Sequence, residues 1–214
     1  MAKPPKSQNL ELDGPAGMLE ALLEAPQESD PVACAVICHP HPLHGGTMQN
    51  KVVHTLARAF LRQGFIVLRF NFRGVNKSEG AFDEGRGELE DTFAALDFLS
   101  NTYPGLPLWL AGFSFGAAMA VHAAAARKTA GLVSIAPAVS RFAKSLPSQP
   151  DCAWLVLQGD QDELVDVAET IAWVNELEPG PELQILDGAE HFFHGKLLLL
   201  RDAVEQFIKM HIRG

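Results

Sequence analysis

The sequence is short of positive charge: 17 Lys and Arg stand against 26 Asp and Glu, a formal net charge of −9. A chain of that sign is repelled by phosphate backbones and anionic lipid surfaces, so neither nucleic acid nor membrane is an expected partner and small molecules lead. Cysteine is scarce as well, with three residues in 214. Cys34 and Cys38 fall within one predicted strand, where roughly 3.3 Å per residue sets them about 13 Å apart, beyond disulfide reach. The cysteines agree with a reducing compartment. No uninterrupted apolar run has transmembrane length, and the stretch from Met1 to Gln8 has no apolar segment behind its lysines. Neither a membrane span nor a secretory signal is therefore expected, and the implied location is the cytoplasm. Repeats and linkers are missing too. The expected layout is a polar tail over residues 1–8 and a single domain over residues 9–214. Around His39, His41 and His44 the carboxylate or cysteine spacing that would close a metal site is absent, so they read as loop and pocket-mouth residues, with no metal and no cofactor required.

What is present is an apolar chain, 47% hydrophobic and 20% charged, as a globular α/β protein shows. Residues 9–12 and 18–25 flank the turn-rich Asp13-Gly14-Pro15-Ala16-Gly17 and favour an antiparallel hairpin at a sheet edge, the second run also suiting a short helix. Residues 32–38 form a continuous apolar run fit for a central strand buried on both faces. From 50 to 63, Val53, Leu56, Ala57, Phe60 and Leu61 recur at helical spacing. Further strands are expected at 65–70, 108–111, 131–135, 153–157 and 182–186. Helices are expected over about 87–103, with Leu89, Phe93, Leu96 and Leu99 or Phe98 on one side, and over 117–126, 167–177 and 197–212. Parallel neighbours need such crossovers, so the alternation predicts an α/β fold: a mostly parallel central sheet with helices on both faces and an antiparallel N-terminal edge. The interval 136–152 is too short for a large lid.

The stretch Gly112-Phe113-Ser114-Phe115-Gly116 stands where an apolar run ends and an alanine-rich run begins. A serine at such a strand-to-helix turn is held in a strained backbone conformation with its hydroxyl exposed, and side chains two residues to either side would collide with the neighbouring strand and helix. A serine hydroxyl is a weak nucleophile until a base takes its proton and a third group orients the base. Such groups belong at the carboxyl ends of the strands. Asp160 and Asp162 follow the strand over 153–157, and His191 follows that over 182–186; both aspartates are open as the acid. The order Ser114, Asp, His191 is that of the α/β-hydrolase topology.

Cys38-His39-Pro40-His41-Pro42-Leu43-His44-Gly45-Gly46, Asn71-Phe72-Arg73-Gly74, the serine turn, Gly159-Asp160-Gln161-Asp162-Glu163-Leu164-Val165 and Gly188-Ala189-Glu190-His191-Phe192-Phe193 together resemble a compact, lidless α/β-hydrolase related to carboxylesterases and dienelactone hydrolases. The resemblance covers nearly the whole chain. It implies Asp162 as the acid, because the family's Gly-x-x-Asp-x-x-Val pattern matches Gly159, Asp162 and Val165; Asp160 is left as a turn residue. It implies His191 as the base through Gly-x-x-His-Phe, a match that the competitor His194 lacks. The oxyanion hole draws one N–H from Phe115 and one from the loop after residue 38. That loop departs from the usual His-Gly pattern. Pro40 and Pro42 have no N–H to give, which leaves His41, favoured by position, and Leu43. Arg73 is read as a loop-organising cation, with a substrate clamp as the lesser reading.

The implied function is a serine hydrolase cleaving carboxylic esters or thioesters of small to medium acyl groups: Ser114 attacks, His191 moves the proton, Asp162 orients His191, and His41 and Phe115 hold the oxyanion. Its expected partner is a small ester-type substrate. Serine at this turn argues against dehalogenase chemistry and separates the chain from typical dienelactone hydrolases, which use cysteine. Phe113, Phe115, Phe192 and Phe193 suggest an apolar pocket wall. Two alternatives are a non-catalytic α/β-hydrolase scaffold binding a small ligand or a protein, and metal-dependent hydrolysis through the histidine-rich loop.

Overall fold

The computed structural model describes residues 6–142, 146 and 148–212. Strands β1 (Ser7–Gly14) and β2 (Gly17–Glu24) make the antiparallel hairpin, closed by Gly14 opposite Gly17. The second run is a strand rather than a helix. Leu19, Ala21 and Leu23 are buried in alternation, the period of two that a sheet edge packed on one face requires. Strand β1 starts inside the segment read as tail, because Ser7 pairs with Glu24. Residues 1–5 of that segment lie outside the described residues.

The chain continues as β3 (Ala33–Cys38), α1 (Lys51–Arg62), β4 (Phe65–Phe70), α2 (Arg86–Thr102), β5 (Leu108–Phe113), α3 (Phe115–Ala126), β6 (Gly131–Ile135), α4 (Val139–Phe142), β7 (Ala153–Gly159), α5 (Val167–Asn175), β8 (Glu182–Leu186) and α6 (Leu197–His211). The strands form one eight-stranded sheet in the order β1-β2-β4-β3-β5-β6-β7-β8. The hairpin joins β4 antiparallel, and every pair from β4 across to β8 is parallel. Between β6 and β7 the described residues contain only the single turn α4. Among the described residues no helix is long and apolar enough to cross a membrane.

The sheet separates two cores. Along β3, Cys34, Val36 and Cys38 face the layer of α2, α3 and α5, while Ala33, Ala35 and Ile37 face α1 and α6. Burial on both faces explains why the central strands read as unbroken apolar runs. It also pushes the thiols of Cys34 and Cys38 up to about 12, and partial burial raises that of Cys152 before β7, which disfavours the reactive thiolate at each.

Helix α2 turns the expected side to the core, with Leu96 and Leu99 buried and Leu89 and Phe93 half-buried against it, but polar residues go in beside them: Glu88, Asp91 and Thr92 are buried. The reason is polar. Glu88 accepts from the N–H groups of Asp83 and Gly85 at 3.0 and 2.8 Å, and Asp91 holds Arg73 at 2.7 Å. Those carboxylates organise the loop after β4, which borders the carboxyl edge where β3, β5, β7 and β8 also release their loops.

Candidate active site

Ser114 sits between β5 and α3 at φ 57°, ψ −117°, a conformation that costs a side-chain-bearing residue about 1–3 kcal/mol and needs surrounding restraint. The restraint is visible. Ser114 N–H donates to the Ile135 carbonyl at 2.8 Å, and its own carbonyl accepts from Ala118 and Ala138 at 3.2 and 3.3 Å. A Cβ on Gly112 would lie 2.2 Å from the Gly116 carbonyl oxygen, and one on Gly116 would lie 2.3 and 2.4 Å from the carbonyl oxygens of His39 and Cys38. The first glycine therefore clears the start of the helix; the second clears the exit of β3.

His191 reaches the site from the loop after β8. Its Nε2 is 3.1 Å from Ser114 Oγ, and its Nδ1 is 2.8 Å from Asp162 Oδ2. The imidazole is nearly buried and the Asp162 carboxylate wholly so, at 3% and 0% side-chain exposure. Burial alone would raise the carboxyl. It is outweighed by the His191 hydrogen bond, by the N–H groups of Val165 and Leu164 at 2.8 and 2.9 Å, and by the charge His191 carries when it is protonated, so Asp162 is held below its ordinary value. Gln158 Nε2 adds a further donor at 2.8 Å. An ionised Asp162 accepts only, so Nδ1 of a neutral His191 carries the proton and Nε2 is left to accept from Ser114. The ring lies over Phe113, with centroids 4.9 Å apart.

The other aspartate faces elsewhere. Asp160 Oδ1 accepts from Gly188 N–H at 2.7 Å, tying the loop after β7 to the turn after β8. His194 is exposed and paired with Glu190.

On the opposite wall, Phe115 N–H opens α3, where first-turn N–H groups have no helical acceptor. Leu43 N–H is engaged by His41 Nδ1 at 3.2 Å, so of the two loop donors only the His41 N–H is without a partner among the described residues. His39 points the other way. It is fully buried, its Nε2 accepts from Phe72 N–H at 3.0 Å, and its Nδ1–H donates to the Pro40 carbonyl at 2.6 Å. Both nitrogens being taken, His39 cannot join His41 and His44, whose rings meet at 4.6 Å beside the cleft. Among the described residues no group of three metal-ligating side chains occurs. Arg73 is likewise drawn inward, its guanidinium on Asp91 at 2.7 Å and its N–H on the same carboxylate at 3.0 Å.

Ser114 and His191 open into a cleft of about 380 Å³ whose walls include His41, Phe115, Phe142, Leu164 and Phe192. Two of the phenylalanines expected in that wall are not in it. Phe113 lies beneath His191, and Phe193 belongs to the core between the sheet and α6, both fully buried, because strand alternation and the turn after β8 point them inward. Sequence reasoning missed Gln158, Leu164, Phe142 and Arg141. Only Gln158 carried a signal, as a polar residue closing an apolar run; it belongs to β7, which extends to Gly159.

The family model described as serine aminopeptidase, S33, matches residues 33–154, a span that holds Ser114 and His41 and ends before Asp162 and His191. A solved α/β serine hydrolase without a lid from Xanthomonas campestris is 42% identical, with a TM-score of 0.93, covering 97% of this chain and 95% of that one. An α/β serine hydrolase homologue from Coxiella burnetii is 43% identical, with a TM-score of 0.91, covering 96% of this chain and 99% of that one. An uncharacterized protein of Rickettsia prowazekii is 35% identical over 207 residues, which is 92% of this chain and 86% of that protein.

Proposed function

The chain belongs to the α/β-hydrolase superfamily, among its serine hydrolases, and from that premise we propose that it cleaves carboxylic esters or thioesters of small to medium acyl groups through an acyl-enzyme on Ser114. The observation that carries the proposal is the unbroken hydrogen-bond run Asp162–His191–Ser114, at 2.8 and 3.1 Å. His191 Nε2 takes the hydroxyl proton as Ser114 Oγ bonds to the carbonyl carbon, and the imidazolium so formed is stabilised by the ionised Asp162. The N–H groups of Phe115 and His41 receive the charge that develops on the carbonyl oxygen. Collapse breaks the bond to the leaving alcohol or thiol, which takes the proton back from His191. Water then repeats the sequence on the acyl-enzyme and releases the acid.

The cleft volume of about 380 Å³ suits a small acyl chain, and Phe115, Phe142, Leu164 and Phe192 give that chain an apolar surface. The test is intact-mass labelling with a fluorophosphonate, beside turnover of p-nitrophenyl esters of increasing acyl length. A single adduct, absent in Ser114→Ala, together with turnover that declines for long chains, is the expected result. A folded protein that forms no adduct and hydrolyses none of the esters overturns the reading and moves the binding-scaffold alternative ahead.

A further inference from the structure

The cleft differs in charge from the molecule around it. In a chain of net charge −9, its described lining contains Arg141, three histidines and no Asp or Glu. None of the carboxylates near His191 is part of that lining: Glu163 accepts from His191 N–H at 3.2 Å, Glu190 pairs with His194, and the Asp162 carboxylate is buried against the imidazole. Arg141 lies on α4 with its guanidinium carbon 5.8 Å from the centre of the Phe142 ring, and it is exposed. Arg62, Arg69, Arg73, Arg86, Arg127 and Arg201 each pair with a carboxylate. Among the described residues Arg141 and Arg58 are the arginines that pair with none, and Arg58 is exposed on α1 and does not line the cleft.

An unpaired guanidinium against an aromatic wall presents a flat fork of donors that matches a carboxylate, and its attraction is strengthened where phenylalanines displace water. One fork suits one carboxylate; a phosphate dianion would call for more donors than the cleft gathers. We propose that Arg141 is a specificity-determining residue, and that the cleft selects esters carrying a carboxylate a few bonds from the scissile carbonyl. The inference rests on the acyl-enzyme reading and adds to it the charge of the substrate.

Two ester pairs test it, one with the charge on the acyl side and one with it on the leaving group: p-nitrophenyl hydrogen adipate against p-nitrophenyl hexanoate, and 3-carboxyphenyl against 3-carbamoylphenyl butanoate. In each pair the ratio of kcat/KM, anionic over neutral, is compared between wild type and Arg141→Met, which cancels differences in intrinsic reactivity and in the fraction of folded enzyme. In at least one pair the ratio should fall about tenfold in Arg141→Met, through KM, be partly restored in Arg141→Lys, and decline as salt is added. Turnover of the neutral esters with a ratio that Arg141→Met leaves unmoved in both pairs overturns this inference alone. Failure of the folded wild type to hydrolyse any of the esters overturns the acyl-enzyme reading and this inference with it.

Discussion

Gly159 and Ala189 touch through the backbone: a Cβ added to Gly159 would lie 2.2 Å from the Ala189 carbonyl oxygen. The same oxygen accepts from Gln161 N–H at 3.0 Å, so the strand that leads to Asp162 and the turn that leads to His191 are locked against each other. Their approach sets the 2.8 Å separation of Asp162 and His191. Gly159→Ala must push the two loops apart. A misplacement of reacting groups by about 1 Å costs on the order of 100-fold in rate, so kcat should fall by about that factor, with a stability loss of about 1–3 kcal/mol. Ester turnover beside urea unfolding checks it. Wild-type kcat in a folded Gly159→Ala would show that this contact does not set the geometry.

The two aspartates after β7 should separate sharply on mutation to asparagine. In Asp162→Asn an amide replaces the acceptor of His191 Nδ1–H, favouring the tautomer whose Nε2 carries a proton and cannot take one from Ser114; kcat should fall about 10⁴-fold. Asp160→Asn keeps an oxygen for Gly188 N–H and should change kcat less than about threefold, since a surface exchange of this kind moves stability by no more than about 0.5 kcal/mol. Steady-state kinetics on one p-nitrophenyl ester decides between them. The opposite ranking would move the acid to Asp160.

The difference between those aspartates also marks how far the sequence is readable. The order of strands, the turn at Ser114 and the loops carrying Asp162 and His191 are legible because they follow from local periodicity and from short patterns of fixed spacing. The partners of the glycines are not. Gly159 is required by a carbonyl 30 positions along the chain, at Ala189, and Gly116 by carbonyls at Cys38 and His39. The polar part of the inner face of α2 is hidden for a related reason: apolar spacing points to Leu89, Phe93 and Leu96, which do pack on the core, while Asp91 and Glu88 are taken inward beside them by Arg73 and by loop N–H groups. Arg141 left no trace at all, since a cation on a one-turn helix has no period to stand out from.

His39 gives the fold an acid sensitivity that starts well above the carboxylate range. Burial lowers its folded value to about 4 from 6.5, the Pro40 carbonyl resisting only in part, and protonation of Nε2 would break the bond from Phe72 N–H. Below pH 6.5 the unfolded chain binds a proton that the folded chain refuses, so stability is full above that pH and is lost as pH falls toward 4. A lowering of that size corresponds to about 3 kcal/mol. Asp162, also lowered, removes stability in the same direction, but only once pH falls below 3.8 and through its folded value. Urea unfolding across this range should show a slope between pH 6.5 and 4 that His39→Gln flattens, the variant being less stable at neutral pH. An unchanged slope in that variant would assign the acid sensitivity to other groups.

Arg73 and Asp91 give the last contrast, between a clamp for substrate and a brace for the loop. Asp91 is wholly buried and Arg73 nearly so, with side-chain exposures of 0% and 11%. Removing one partner of such a pair strands the other charge at a cost of about 3–5 kcal/mol, so Asp91→Asn should lower the urea midpoint steeply. Replacing both, as Arg73→Met with Asp91→Leu, removes the stranded charge yet leaves the Arg73-position N–H without the oxygen it now reaches at 3.0 Å. Recovery should therefore be incomplete, by about 1–3 kcal/mol. The kinetic signature separates the roles. A brace predicts that the folded Arg73→Met, Asp91→Leu protein keeps KM close to wild type for p-nitrophenyl hydrogen adipate as for p-nitrophenyl hexanoate, because Arg73 is turned from the cleft; a clamp predicts a raised KM for the anionic ester alone, at little cost in stability.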